Sequence, residues 1–422
     1  DIYLERLIAR KHNGFIKVIT GIRRCGKSYL LNTLFYNHLK SENIAEDHII
    51  KFAFDTAQDL LKIGEDPLIL DNEKEDRKVD PSKFLKWLMP QINGDEMYYL
   101  LLDEVQKLGA FESVLNGFLR NSNVDVYVTG SNSKMLSSDI ATEFRGRAAQ
   151  IRISPLSFEE FYAYKGGDEK KALDEYMLYG GLPRVTQIED ENDKKNYLTS
   201  LYGELYIKDI VERNGIERED ILEDILDFLA SQIGSLTNPT NIANAISSMK
   251  GEKINQSLTS NYIKHAIDSF LISRARRYDI KGKSYFNYPN KYYYTDIGLR
   301  NARLNYRQFD AGHIMENMIY NDLIRRGYSV DVGVVVDRKK GENTQKEVDF
   351  VVNENDKKLY IQSSVRIENE AKETAELRSL MLIGDFFKKI IVRMDIPHSF
   401  YDENGIYHCN LIEFLLGKVE LF

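Results

Sequence analysis

Short apolar runs recur through the first third of the chain, at residues 16–20, 48–54, 98–102, 124–129 and 148–154. Apolar residues dominate each run and predict strands, and the unbroken run at 98–102 predicts one buried on both faces. Helix-compatible stretches lie between them, notably residues 29–40 and 82–92, and residues 2–12 suit a short helix ahead of the first strand. This alternation predicts an α/β unit, a parallel sheet covered by helices, ending near Ser154. Residues 62–82 break the pattern. Rich in Asp, Glu and Lys, with Pro67 and Pro81, they predict an exposed loop.

Downstream the periodicity changes. Residues 155–215 are mostly helical in pattern, with Phe158, Phe161 and Tyr162 on one face and residues 204–211 forming another. Residues 217–300 carry helix-like segments at 221–233, 238–248 and 259–270, then strand-like segments near 273–278 and 291–295. Helix–helix–helix–hairpin is the layout of a winged helix-turn-helix, whose third helix is the recognition helix in DNA-binding versions. The hydroxyls of Ser257, Thr259 and Ser260 are candidate N-caps for that helix. Residues 310–422 return to a mixed α/β pattern, with a helix at 312–326 and strands at 328–336, 347–352 and 359–364.

The first apolar run leads straight into Gly21-Ile22-Arg23-Arg24-Cys25-Gly26-Lys27-Ser28. This is a complete phosphate-binding loop (P-loop) in the strand–loop–helix setting that gives the motif its meaning. Its glycines let successive backbone N–H groups turn toward phosphate oxygens, and the helix N-terminus adds partial positive charge. Lys27 is placed for the β/γ-phosphates of ATP and the Ser28 hydroxyl for Mg²⁺. Gly21, Arg24, Cys25, Gly26 and Tyr29 complete the expected nucleotide-binding set. Cys25, beside Lys27 and a helix N-terminus, has surroundings that lower a thiol pKa.

Mg²⁺ also needs an acid on a neighbouring strand, and Tyr98-Tyr99-Leu100-Leu101-Leu102-Asp103-Glu104 supplies one. Asp103 falls at the C-terminal end of its strand, where open α/β sheets bind ligands. It is the expected second metal ligand, and Glu104 the group that polarises the attacking water. After the fourth run, Gly130-Ser131-Asn132-Ser133 offers a polar tip for the γ-phosphate or the water, with Asn132 preferred to Ser131. Phe144-Arg145-Gly146-Arg147 precedes the fifth run. Arg147 or Arg145 is a candidate arginine finger, acting within its own chain or on a neighbouring copy.

The length of 422 residues implies about three domains. At 43% hydrophobic and 29% charged, with no apolar run of ~18 residues, the chain is expected to be globular and without a transmembrane helix. No signal peptide is visible, and the start at Asp1 without a methionine leaves a trimmed N-terminus open. Cys25 and Cys409 are the only cysteines, which argues against a disulfide scaffold and fits a cytoplasmic location. Together with seven histidines they show no zinc spacing.

A net charge of −8 excludes a bulk polycation, so any nucleic-acid contact needs a local patch. Residues 251–300 offer one: nine Lys/Arg against four Asp/Glu, a net +5. Arg274, Arg276, Arg277, Lys281 and Lys283 lie among Tyr278, Tyr285, Phe286 and Tyr288. Cations interleaved with aromatics suit double-stranded DNA contact through residues 257–294. They equally suit a hairpin with inward aromatics that docks a protein.

The P-loop, Leu-Leu-Leu-Asp-Glu, Val-Thr-Gly-Ser-Asn-Ser and Phe-Arg-Gly-Arg follow the order used by bacterial and archaeal AAA+-like ATPases of the signal-transduction branch. The chain resembles that branch over nearly its whole length, and within it the ATPases whose C-terminal half is called a domain of unknown function. Tyr179-Gly180-Gly181-Leu182-Pro183 is similar to the branch's Gly-x-Pro lid motif, which implies that Pro183 lies against adenine. In such ATPases a winged helix often packs as a regulatory arm. The last third resembles a restriction-endonuclease-like fold. Those nucleases need an Asp, then Glu-x-Lys on the adjoining strand. Asp349 stands in the first position, but the second reads Gln362-Ser363-Ser364, without carboxylate or lysine. Gln362 and Glu316 are the remaining oxygen donors, and DNA cleavage is not expected.

The expected organisation is a P-loop core (1–154), a helical lid (155–216), a winged helix-turn-helix (217–306) and a degenerate nuclease-like α/β domain (307–422). The expected function is an Mg²⁺-dependent ATP-hydrolysing switch or machine acting on DNA or a DNA-associated partner. The alternatives are a nucleotide-gated protein-interaction switch and, less favoured, an ATP-dependent nuclease. Homo-oligomerisation and a protein partner stay open.

Overall fold

In the computed structural model, which describes residues 2–70, 78–130, 144, 146–339, 342–367 and 370–422, the five apolar runs are strands. They are β1 (Ile16–Gly21), β2 (Ile49–Ala53), β3 (Tyr98–Asp103), β4 (Val124–Thr129) and β5 (Ala148–Ile153). All pair in parallel, in the order β2-β3-β4-β1-β5. Every residue of β1 and β3 is buried, as strands covered on both faces require. β4 stands between β1 and β3, so the acid-bearing strand is one place further from the phosphate loop than a direct neighbour.

One core cluster joins Val18, Phe52, Leu100, Leu102 and Val128 of the sheet to Phe84 and Leu88 of the helix Pro81–Leu88. Asp80 caps that helix, accepting from the Ser82 N–H at 2.8 Å, and Pro81 occupies its first position. The segment expected as an exposed loop is partly internal. Val79 is buried, and its backbone exchanges hydrogen bonds with Lys107 and Gly109, each at 2.9 Å.

The chain divides into two compact units, Asp1–Ser154 and Pro155–Phe422. The second begins with helices Phe158–Lys165, Glu169–Tyr179, Pro183–Thr186 and Glu191–Ser200. Ser157 and Glu160 form a reciprocal capping box at the first of them. Helices Glu219–Ser231, Pro239–Lys250 and Gln256–Asp268 follow. The last is capped by Asn255, whose side chain accepts from the Ser257 N–H at 2.8 Å; the expected serine and threonine caps lie inside the helix.

Next come β6 (Ile272–Ala275), β7 (Arg277–Asp279), β8 (Ser284–Tyr285) and β9 (Lys291–Tyr294). β6 and β9 pair antiparallel by themselves, whereas β7 and β8 join the sheet of the last third. That sheet adds β10 (Ser329–Lys339), β11 (Glu342–Glu354), β12 (Lys357–Ser364), β13 (Lys388–Arg393), β14 (Phe400–Tyr401) and β15 (Tyr407–Asn410). Its order is β14-β15-β13-β12-β11-β10-β7-β8, with β7 parallel to β10. Among the described residues, no helix is long and apolar enough to cross a membrane.

Candidate active site

Parallel pairing brings the C-terminal ends of β1, β2 and β3 to one edge of the first unit's sheet. Gly21 leaves β1 with φ +149°, and a Cβ there would sit 2.3 Å from the Ile153 carbonyl oxygen. Only glycine lets the loop turn against β5 this closely. Arg24 and Gly26 are left-handed, at φ 66° and 105°, and nothing lies within 4 Å of a Cβ built on Gly26. Lys27 is buried and folds back over the loop, its Nζ donating to the carbonyls of Gly21 at 3.0 Å and Ile22 at 3.1 Å.

The helix after the loop is α-helical over Lys27–Tyr29, π-helical over Leu30–Phe35 and α-helical again over Tyr36–Ser41. Inserted π turns re-aim side chains, often at functional sites. This one contains Asn32, whose Nδ2 donates to Asp103 Oδ2 at 3.1 Å. The other Asp103 oxygen accepts from the Thr129 hydroxyl, and the Ser28 hydroxyl bonds to the same carboxylate. Burial raises the Asp103 pKa above the ordinary carboxylate range, while the Thr129 and Ser28 bonds pull it back. A hydroxyl and a carboxylate side by side are the hard oxygen donors that Mg²⁺ takes, so the residues present fit the ion that the motif implies.

Glu104 holds a left-handed backbone, φ 52° and ψ 46°, and its N–H donates to Thr129 Oγ1 at 3.0 Å. Its carboxylate accepts from the Gln106 amide. Asp55 follows β2 at the same edge, where loss of hydration and the charges of Glu104 and Asp103 raise its pKa. The sequence reading missed Asn32, Thr129, Gln106 and Asp55. Only Asp55 carried a signal, being an acid just past a buried run, the rule that located Asp103.

Ser28 and Arg24 are exposed, and Tyr29 is 61% exposed on the helix surface. Cys25 departs from expectation: it is 4% exposed, its Sγ lies 3.8 Å from the Ile153 carbonyl, and burial raises its thiol pKa despite Lys27. Asn132, Ser131 and Arg145 lie outside the described residues. Arg147 is exposed, and its carbonyl accepts from the Ile16 N–H at 3.0 Å, at the start of β1. The P-loop is at the other end of that strand, about 16 Å away at ~3.3 Å per residue. Arg147 therefore cannot reach the phosphate loop of its own chain.

In the second unit, Pro183 is half-buried and opens the short helix Pro183–Thr186. The glycines before it have a packing role. A Cβ on Gly180 would meet Asp296 Oδ1 at 2.3 Å, and one on Gly181 the Leu156 carbonyl at 2.1 Å. The Asp296 carboxylate accepts from the Gly181 N–H at 2.8 Å and the Leu299 N–H at 3.1 Å.

The basic patch is smaller than its composition. Three of its nine cations are internal: Arg277, Lys291 and Arg300 are 9%, 2% and 1% exposed. Arg277 donates to Gln345 at 2.8 Å and Arg300 to the Ala230 carbonyl at 2.8 Å. Exposed Arg276 stacks 4.3 Å from the Tyr285 ring centroid. A groove of about 310 Å³ beside the helix Gln256–Asp268 is lined by Asn261, Lys264, Asp268, Arg274 and Tyr288 among others. In the nuclease-like sheet, both the N–H and the hydroxyl of Ser363 donate to Asp349 Oδ2, at 2.8 and 2.7 Å. Gln362 turns its oxygen to the Asp349 N–H at 3.3 Å.

Family models match this chain in three places: an AAA domain over residues 13–162, and two domains of unknown function, DUF8612 over 170–310 and DUF4143 over 311–407. It is 33% identical to an uncharacterized protein of Haemophilus influenzae, covering 98% of this chain and 97% of that one. An uncharacterized protein of Methanocaldococcus jannaschii is 29% identical over 86% of this chain and 77% of its own length. Among solved structures, a Walker-type ATPase of Pyrococcus abyssi aligns with a TM-score of 0.48 at 16% identity, covering 72% of this chain and 95% of that one.

Proposed function

The chain belongs to the AAA+-like P-loop ATPases that carry C-terminal domains of unknown function, and on that premise we propose that it is an Mg²⁺-dependent switch or machine that hydrolyses ATP to ADP and phosphate. The observation that carries this is the convergence of Lys27, Ser28 and Asp103 at one sheet edge, braced by Asn32 and Thr129. Mg²⁺, when bound, neutralises charge on the β/γ-phosphate oxygens. Ser28 and Asp103 would hold it. Gly21, Arg24, Cys25 and Gly26 present backbone amides to the phosphates, and Lys27 exchanges its two carbonyl partners for phosphate oxygens. Glu104 releases Gln106 to polarise the attacking water. Asn132 contacts the γ-phosphate or that water, and Tyr29 contacts the base; for Pro183, an adenine contact is proposed from the likeness of residues 179–183 to the lid motif alone. Arg147 serves as a finger for a neighbouring copy, because its own P-loop is a strand's length away.

The four-part division at residues 154, 216 and 306 is proposed on the same footing, as is a cytoplasmic location, which suits two free buried thiols. The partner is DNA or a DNA-bound protein, met through residues 257–294 by the exposed Lys264, Arg274, Arg276, Lys281 and Lys283. A second reading, a nucleotide-gated switch that docks only protein, is favoured by the burial of Arg277 and by Asp268 in the groove.

Steady-state ATP hydrolysis with and without duplex DNA tests both, using wild type, Lys27→Ala and Glu104→Gln. Turnover that rises with DNA and vanishes in both variants supports the first reading. ATP binding with slow turnover indifferent to DNA supports the second. Turnover that survives Lys27→Ala would sink the assignment of the site.

A further inference from the structure

In the second unit, Lys291 points from β9 into a cluster of three carboxylates. Its Nζ lies 2.7 Å from Glu316 Oε1, 2.6 Å from Glu347 Oε1 and 3.7 Å from Asp349 Oδ1. Glu316 comes from the helix Ala311–Arg326, and Glu347 and Asp349 from β11. Lys291, Glu316 and Asp349 are each less than 10% exposed. Two of the acids have further donors: the Tyr293 hydroxyl donates to Glu316 at 2.6 Å, and Ser363 donates twice to Asp349. Even the approach of Gly234 is set by this cluster, since a Cβ there would lie 3.0 Å from Glu316 Oε2.

Three acids facing one small volume of low dielectric repel one another unless a cation lies among them. In a metal nuclease that cation is a divalent ion held by the carboxylates. Here an ammonium on a neighbouring element fills the volume. Among the described residues, no group of three or more His, Cys, Asp or Glu is arranged to hold a metal. We propose that Lys291 is the resident cation of this site, a covalently tethered substitute for a divalent ion. It makes the last third of the chain metal-independent and fastens β9 to the helix Ala311–Arg326 and β11. Burial alone lowers a lysine pKa, yet the three carboxylates outweigh it and hold Lys291 protonated. Burial likewise raises Glu316, and the ammonium pulls it back.

The site is independent of the ATP reading and is tested on the nucleotide-free full chain. Replacing Lys291 by Met keeps the stem and removes the charge, leaving three oxygen donors around vacated space, a ligand set suited to a hard divalent ion. The Lys291→Met variant should melt roughly 10 °C below wild type. Adding Mn²⁺ should restore part of that difference, beyond any shift it causes in wild type or in Lys291→Met/Glu316→Gln. Absence of Mn²⁺ rescue in the folded single variant would overturn the proposal, as would equal stabilisation of wild type. If the single variant does not fold, Mn²⁺ electron paramagnetic resonance on wild type and Glu316→Gln decides. The proposal expects no bound Mn²⁺ that Glu316→Gln removes; a Mn²⁺ signal lost on that substitution refutes it.

Discussion

Lys17 and Asp125 are a charged pair inside the sheet that carries the P-loop, and removing Lys17 tests how that sheet is held. Lys17, the second residue of β1, is 0% exposed and its ammonium contacts Asp125 on β4. Asp125 also accepts from the Tyr127 hydroxyl at 2.7 Å and the His12 N–H at 3.0 Å. Burial lowers the Lys17 pKa against the pull of Asp125, so the pair is stable only as a pair. Lys17→Met leaves a buried carboxylate with two neutral donors. Breaking such a pair from one side costs about 3–5 kcal/mol. Lys17→Met/Asp125→Asn removes both charges but keeps an acceptor for Tyr127 and His12. It should recover most of the loss and lie within about 1–2 kcal/mol of wild type. The assay is urea denaturation followed by fluorescence. The chain has one tryptophan, Trp87, whose ring lies 5.1 Å from Phe52, so the signal reports this unit. A loss below about 1 kcal/mol in Lys17→Met, or a double variant no more stable than the single one, would refute the reasoning.

Three further outcomes are expected. Gly21→Ala, which drives a Cβ to 2.3 Å from a backbone oxygen, should weaken nucleotide binding at least tenfold (about 1.4 kcal/mol) in a fluorescent-nucleotide titration. Unchanged affinity would mean that the loop adapts. Cys25 should alkylate slowly because its thiol pKa is raised by burial, and more slowly still with MgATP. Equal labelling rates with and without MgATP would remove Cys25 from the nucleotide contact set. Asp296 is pushed up to about 6 by burial, so the folded state holds its proton more tightly than the unfolded state. Its contribution to stability is full below about pH 4 and is lost as pH rises through 6, a fall on the order of 3 kcal/mol. Asp296→Asn should lack that slope between pH 4 and 7, and parallel wild-type and variant profiles would contradict it.

What was legible in the sequence follows from how local each signal is. The five strands of the first unit come from short runs dominated by apolar residues, and the Lys27, Ser28 and Asp103 positions from motifs only a few residues long. Pairing across the chain was not legible. In sequence β7 lies between two strands that pair with each other, yet it runs beside β10, with Arg277 opposite Val332, 55 residues on. No local pattern distinguishes a wing tip from a sheet edge. Counting charges also misled: Lys291 and Arg300 raised the basic patch on paper while their side chains neutralise or cap buried groups inside the unit.

Lys17 and Lys291 are both buried in strands, and each meets carboxylates of other elements: Asp125 for Lys17, and Glu316, Glu347 and Asp349 for Lys291. Desolvating an ammonium is so unfavourable that a strand keeps one only where anions already wait for it. The partners are 108 residues away for Lys17 and 25, 56 and 58 for Lys291. The sequence could therefore announce that a buried acid exists without saying which one. Each ion of such a pair can stand out in its own strand, as Lys17 and Asp125 do, but their pairing across 108 residues becomes identifiable only when the chain is folded.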